Sequence, residues 1–311
     1  MNLSISNVAP LRDSQFGYAS RQYAESLKEF GTVRELPRCG GWLLERPIPN
    51  SDLVDGVGCY PLFTCRDWSG LIKDLETLDQ RLVCVNLVTD PFSDVAVSEL
   101  QAIFPDICYE YKQHFVADLS LPLEDIVDAH HQRNIRKAKS ALEVRQSTGD
   151  GDLLHVWQTL YDNLVRRHGI DGIARFSSSS FERQLVVPGL TAFSALERGA
   201  TCGMTLWYVR GDVAYYHLGA YSDRGYESGA SFALFWTALA HFASIGVRWA
   251  ALGAGAGATA TESGLTRFKR GWATHTRPVY FCGRILQPAA YAQLAARVSS
   301  KTGFFPAYRE V

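Results

Sequence analysis

The sequence predicts a mixed α/β protein in two domains, and three observations carry that prediction. The chain has 311 residues, more than one ordinary core organises and enough for two. Apolar residues make up 47% and charged residues 20%, the balance of a well-cored chain rather than a disordered one. In the C-terminal half, three strand-like runs broken by glycine turns precede a long apolar helix and two more strand-like runs. That order predicts a mostly antiparallel sheet flanked by helices.

In the N-terminal half, Trp42 to Leu44 and Tyr60 to Thr64 read as strands. Asp67 to Leu78 reads as a helix capped by Asp67, with Leu71, Leu75 and Leu78 on one face. Leu82 to Val88 is a near-continuous apolar run, the mark of a buried strand. Asp94 to Phe104 has a helical pattern stopped by Pro105, and Ile107 to Leu119 alternates as a strand does. This first domain, 1–122, carries no chemistry on its face. The boundary falls in Leu119 to Asp128, and the second domain is 123–311 with a C-terminal helix.

In that second domain Ile126 to Leu142 is a helix dense in basic residues. Leu154 to Arg167 is amphipathic, with Leu154, Trp157, Leu160, Tyr161 and Leu164 on one side; Phe181 to Val187 is a shorter helix. Leu190 to Leu196, Cys202 to Val209 and Val213 to Tyr221 form an antiparallel meander through turns at Glu197-Arg198-Gly199 and Arg210-Gly211-Asp212. Ser228 to Ser244 is a long helix, and Val247 to Leu252 and Val279 to Leu286 are strands. A Pro-started helix follows at Ala289 to Val298.

Composition narrows the function classes. With 31 basic and 32 acidic residues the net charge is −1, so no long-range field favours DNA or an anionic membrane. The start, MNLSISNVAP, lacks a basic stretch followed by an apolar core, and no apolar run approaches the roughly 18 residues of a membrane span. A cytoplasmic protein without an integral membrane segment is expected. Seven cysteines occur singly with no CxxC pair, which fits reduced thiols. His130 and His131 are adjacent and cannot both face one ligand, so no metal is expected.

Four strings add a family resemblance. RNIRKAKSALEV (Arg133 to Val144) resembles the helix-to-strand opening of the second domain in the Fem-type peptidoglycan aminoacyl transferases of the GNAT superfamily. YYHLGAYS (Tyr215 to Ser222) resembles the strand that ends at the donor site, and GASFALFWTALAHFASIG (Gly229 to Gly246) the helix after it. GLTRFKRGWAT (Gly264 to Thr274) resembles the closing Gly-Leu-x-x-Phe-Lys-x-x-Phe-Gly motif. The resemblance implies two GNAT-like domains, the first degenerate, and transfer of an acyl group from an activated donor to an amine. Four positions depart from it. Ala251 stands near a frequent aspartate, Trp272-Ala273 replaces Phe-Gly, and Glu227 stands where the pyrophosphate loop usually has its first glycine.

The candidate residues follow from chemistry and resemblance together. Arg224, Gly225 and Gly229, with a helix beginning near Ser228, form a candidate anion cradle for a donor's pyrophosphate, or an ordinary strand-to-helix turn. Glu227 would crowd and repel that anion. Arg133, Arg136 and Lys137 crowd one helical face, either solvated or recognising phosphate on a nucleotide, a tRNA acceptor end or a lipid-linked sugar. The resemblance places Lys269 at the transfer site, where it could stabilise an oxyanion; otherwise it is a surface lysine beside Arg267 and Arg270. Tyr215, His217 and Tyr221 alternate and so should share a face, with His217 a candidate general base and Tyr221 a candidate acid for a leaving thiolate. A core histidine is the other reading of His217. Cys202 reads as core. The Gly253 to Gly264 loop lacks the Lys-Ser/Thr of a Walker loop and reads as an acceptor-side loop. The expected reaction is N-acyl transfer, with acyl-CoA as donor and a small metabolite or cell-envelope sugar as acceptor. The alternatives are aminoacyl-tRNA as donor and a catalytically inactive binding module.

Overall fold

The structure, a computed structural model, describes residues 16–78, 81–147, 152–255, 263–298 and 303–310. The chain forms two compact units. The Lys269 unit holds Phe115–Ile170 and Pro188–Thr276, with the described residues up to Gly17. The companion unit holds Tyr18–His114, Asp171–Val187 and Arg277–Val311. The two interleave along the chain, where the sequence suggested one cut near residue 122.

The companion unit contains helices α1 (Arg21–Ser26), α2 (Trp68–Glu76), α3 (Val97–Ile103), α7 (Ser178–Gln184) and α11 (Pro288–Ala295). Its strands are β1 (Thr32–Leu36), β2 (Gly41–Pro47), β3 (Val54–Gly58), β4 (Leu82–Val88), most of β11 (His275–Ile285) and the first part of β5 (Ile107–Asp118), in the order β1-β2-β3-β4-β11-β5. The first three strands are antiparallel, β3 and β4 run parallel, and β4 pairs antiparallel with β11. Asp67 caps α2 by accepting from the Ser69 N–H, and Pro288 opens α11. Tyr60 to Thr64, expected as a strand, is irregular, with only Phe63 bridged to Thr89. The true strands β1 (TVREL) and β3 (VDGVG) are short and interrupted by charge or glycine, so neither shows a clean apolar pattern.

The Lys269 unit contains α4 (Leu123–Ile126), α5 (Ala129–Ala141), α6 (Leu153–His168), α8 (Asp223–Ser228), α9 (Ala230–Ser244) and α10 (Gly264–Arg270). Its sheet places the end of β5 beside β10 (Trp249–Gly253), then β9 (Val213–Tyr221), β8 (Ala200–Arg210), β7 (Leu190–Glu197) and β6 (Glu143–Ser147). The expected meander β7-β8-β9 is antiparallel and consecutive. Arg198 and Gly199 both take positive φ (50° and 83°), the backbone a tight hairpin turn requires. Helix α9 lays Ala230, Ala233, Leu234, Ala238 and Phe242 into a core with Phe193, Trp207 and Trp272; its alanines let the helix approach the sheet closely. The buried Trp157, Leu160 and Tyr161 of α6 lie outside that cluster.

A short helix precedes the expected one. Ser222 accepts from the Gly225 N–H and so caps α8, which starts at Asp223; the helix expected from near Ser228 is α9, which starts at Ala230. Gly229, at φ 70°, ends α8 and begins α9.

Candidate functional site

The site begins where two parallel strands part. Strands β9 and β10 pair through Trp249↔Val213, Ala250↔Ala214 and Ala251↔Tyr215. Among the described residues the ladder ends there, although β9 continues to Tyr221 and β10 to Gly253. On its other side β10 stays paired with β5 through a bulge between Ala251 and Gly253. A strand edge that leaves its partner offers main-chain groups to an extended ligand.

A second bulge decides which side chains face this opening. Trp207 pairs with Tyr216 and Leu206 with Leu218, so His217 is an extra residue in β9. Tyr216 lies on the α9 side, with ring centroids 5.1 Å from Trp207 and 4.8 Å from Phe235. His217 lies on the other side, 4.9 Å from the ring of Tyr208, the cross-strand partner of Tyr215. Beyond the bulge the alternation resumes out of phase. Tyr221 therefore returns to the α9 cluster, against Gly203, Ala230 and Leu234. The expectation that Tyr215, His217 and Tyr221 share one face is corrected: His217 and Tyr221 face opposite ways. Burial pushes the His217 pKa down to about 3, so the ring is neutral near pH 7, away from Tyr216 and Tyr221.

The hydroxyls of Tyr216 and Tyr221 converge over Gly219, where an added Cβ would lie 2.9 Å from the Tyr221 Oη and closer still to that of Tyr216. Burial raises the pKa of both phenols, and for Tyr221 the neighbouring Tyr216 adds to the rise. Both are therefore proton donors near neutral pH. The Asn163 side chain donates to the Tyr221 carbonyl at 2.8 Å and fixes the end of β9.

Lys269 completes the constellation. It is only 7% exposed, which excludes the surface-lysine reading. Its Nζ donates to the Ala254 carbonyl at 2.7 Å and lies 5.7 Å from the Tyr216 ring centroid. Gly253, at φ 77°, makes room for it, since a Cβ there would stand 3.1 Å from Nζ. Ser263 caps α10, which carries the lysine, by accepting from the Thr266 N–H. Residues 256–262, including Gly257 and most of the glycine-rich loop, lie outside the described residues.

The other candidates lie differently. Arg224 is held in two contacts by Glu197 (2.6 and 2.8 Å) and in one by Glu227 (3.1 Å). The Gly225 N–H is committed to Ser222, and the Gly229 N–H to the Tyr226 carbonyl at 3.2 Å. Gly225 is glycine because its Cα lies against the Cys202 carbonyl. The cradle's cation and these two amides thus already have partners. Arg133, Arg136 and Lys137 are exposed along α5, while His131, Ile135 and Ala138 form its buried side. Cys202 is core, its thiol 3.5 Å from the Ala195 carbonyl. Among the described residues no group of three or more His, Cys, Asp or Glu could hold a metal ion. No described helix is long and apolar enough to cross a membrane.

Sequence reasoning missed Tyr216 and Gly219. Both lie in the YYHLGAYS string, but strict alternation sends Tyr216 away from Tyr221, and nothing in the string announces the bulge.

This architecture is shared with solved structures. FemX matches with a TM-score of 0.65 at 16% identity, over 88% of this chain and 93% of that one. The C-terminal domain of a putative lysylphosphatidylglycerol synthetase from Agrobacterium fabrum matches at 0.59 and 14% identity, over 89% and 91%. L-PGS from Bacillus licheniformis matches at 0.55 and 13%, over 93% and 97%. No protein-family model matches the chain, nor does the sequence of any curated protein. At such identities the likeness is one of fold alone, the fold that this chain shares with FemX.

Proposed function

We propose that this protein transfers an acyl group from an activated donor to an amine, with the reaction taking place where β9 and β10 part. The observation that carries this reading is the buried Lys269 amine at that opening, beside two phenols that burial keeps protonated. The donor's acyl arm lies extended along the β9 edge past Tyr215. The acceptor amine attacks the carbonyl carbon, and Lys269 stabilises the negative charge that develops on the carbonyl oxygen. As the C–N bond forms and the bond to the leaving group breaks, Tyr221 supplies a proton to the departing thiolate or alkoxide and recovers one from the attacking nitrogen. No covalent enzyme intermediate is required, and catalysis rests on positioning and charge stabilisation. The companion unit is proposed to be a degenerate copy of the same domain, and the acceptor a small metabolite or a cell-envelope sugar.

Acyl-CoA is the first donor to test. A second reading, aminoacyl-tRNA, is favoured by two observations. Glu197 and Glu227 occupy Arg224 at the place expected to bind a pyrophosphate, and the Arg133, Arg136 and Lys137 face is exposed. The Fem-type resemblance of the sequence and the likeness of fold to FemX support the same reading. Thermal melting against acyl-CoA thioesters, free coenzyme A and aminoacyl-tRNA tests both, because a ligand raises the midpoint only by binding the folded state. Reversing the charge of Arg133, Arg136 and Lys137 to Glu should weaken aminoacyl-tRNA binding and flatten its salt dependence, while leaving acyl-CoA binding intact. A midpoint unmoved by every donor, with no transfer detected, would leave an inactive binding module.

A further inference from the structure

His131 is among the buried polar groups that the proposed reaction does not use. His131, 4% exposed, sits on the inner side of α5 in a box of aromatic rings whose centroids lie 5.1 Å (Phe232), 5.5 Å (Phe268) and 5.3 Å (Trp272) from its own. Its Nδ1 is 3.0 Å from Asp128 Oδ1, and its Nε2 is 2.9 Å from the Phe268 carbonyl. A carboxylate and a carbonyl both only accept, so the ring satisfies both contacts with a hydrogen on each nitrogen.

These contacts close the end of α10. The last carbonyls of a helix lack partners within it. Here the Phe268 carbonyl meets His131 Nε2, and the Gly271 carbonyl accepts from the Asp128 N–H at 3.1 Å. Asp128 in turn caps α5 and accepts from the His131 N–H at 2.7 Å. Gly271 has an ordinary helical φ of −67°, so its backbone does not require glycine. Its neighbours do: a Cβ would stand 2.5 Å from His131 Nδ1 and 2.6 Å from Asp128 Oδ2. Lys269 lies between the two carbonyls that this staple holds.

We propose that His131 is the positioning residue of the transfer site, fixing the last turn of α10, and with it the Lys269 amine, by donating from both imidazole nitrogens. The step from the staple to transfer rests on the reading of Lys269 above; the staple itself does not. His131 touches no reacting atom, and Asp128 shares its task by orienting the ring.

The test uses the full chain and variants His131→Phe and Asp128→Asn. Reductive methylation of Lys269 with formaldehyde and cyanoborohydride, relative to exposed Lys137, is followed by peptide mass spectrometry. Both variants should label Lys269 several-fold faster, His131→Phe the more so, while amide exchange in α9 stays unchanged. An unchanged ratio in folded variants overturns the proposal. If His131→Phe does not fold, Asp128→Asn decides, since it removes the charge but keeps an acceptor for the helix cap. Nitrogen-15 spectra of the labelled histidines supply an independent signature: a hydrogen on both His131 nitrogens supports the staple, and on one alone overturns it. In the transfer assay the variants should lower turnover about tenfold with donor affinity within about twofold. Faster labelling without any loss of turnover in Lys269→Met would keep the staple and remove the catalytic reading.

Discussion

Among the described residues each unit contains a parallel strand pair flanked on both sides by antiparallel pairing, and the two parallel pairs end differently. In the companion unit β3 and β4 pair through Val54↔Leu82, Gly56↔Val85 and Val57↔Asn86. The chain then returns: the Phe63 N–H donates to the Val88 carbonyl at 2.7 Å, and the Asp90 N–H to the Phe63 carbonyl at 3.1 Å. Phe63 is buried among Leu43, Trp68 and Leu87, so the edge of β4 is closed by the protein's own backbone and an apolar side chain. In the Lys269 unit the β9–β10 ladder ends at Tyr215↔Ala251, and the space beyond is faced by a lysine and two tyrosines. The same strand arrangement thus serves as packing in one unit and as a candidate site in the other. What differs is the residue that follows the pair, not the pair.

The largest expected effect falls on Lys269. Lys269→Met should lower turnover by on the order of 10²-fold or more while donor affinity changes little, measured by thiol release or labelled aminoacyl transfer. Equal rates in variant and wild type would remove the functional contrast between the two pairs.

Glycines beyond the ends of the two ladders sharpen it. Gly58→Ala in the companion unit would set a Cβ 2.8 Å from that of Leu87 and 3.1 Å from that of Phe63. Overpacking there should cost about 1–3 kcal/mol in chemical denaturation, with donor binding intact. Gly219→Ala instead pushes on the Tyr216 and Tyr221 hydroxyls. Turnover should fall roughly tenfold, with a smaller change in stability. If the two variants behave alike, the opening in the Lys269 unit is only packing.

His217 separates site from core within one strand. Its folded-state pKa of about 3 lies below the usual 6.5. The unfolded chain therefore binds a proton first, and the stability His217 contributes is complete above pH 6.5 and lost as pH falls toward 3. The slope is about 1.4 kcal/mol per pH unit at most. His217→Phe should flatten this part of the pH–stability curve and leave turnover near pH 7 unchanged. A collapse of turnover would restore His217 as a base.

The smallest effect is expected at Arg224. Arg224→Ala removes exposed contacts to Glu197 and Glu227 and should leave the thermal midpoint and acyl-CoA affinity unchanged. A large loss of affinity, read by calorimetry, would reinstate the cradle.

The sequence by itself determined the elements whose signals are local. Asp67 announced the cap of α2, Arg198-Gly199 the turn between β7 and β8, and the apolar run from Ala230 the buried helix α9. Lys269 was singled out through the resemblance of Gly264 to Thr274 to the closing motif of the Fem-type transferases. Tertiary structure decided what distant segments settle together. The extra residue at His217 exists only relative to its partner β8, and it alone puts Tyr216 beside Tyr221 and turns His217 away. The staple from His131 to Phe268 joins residues 137 apart in sequence, and adjacency to His130 made that ring look incidental. Strand alternation and helical periodicity are properties of a segment. Register and a closed helix end are properties of a pair, and a pair exists only once the chain has folded.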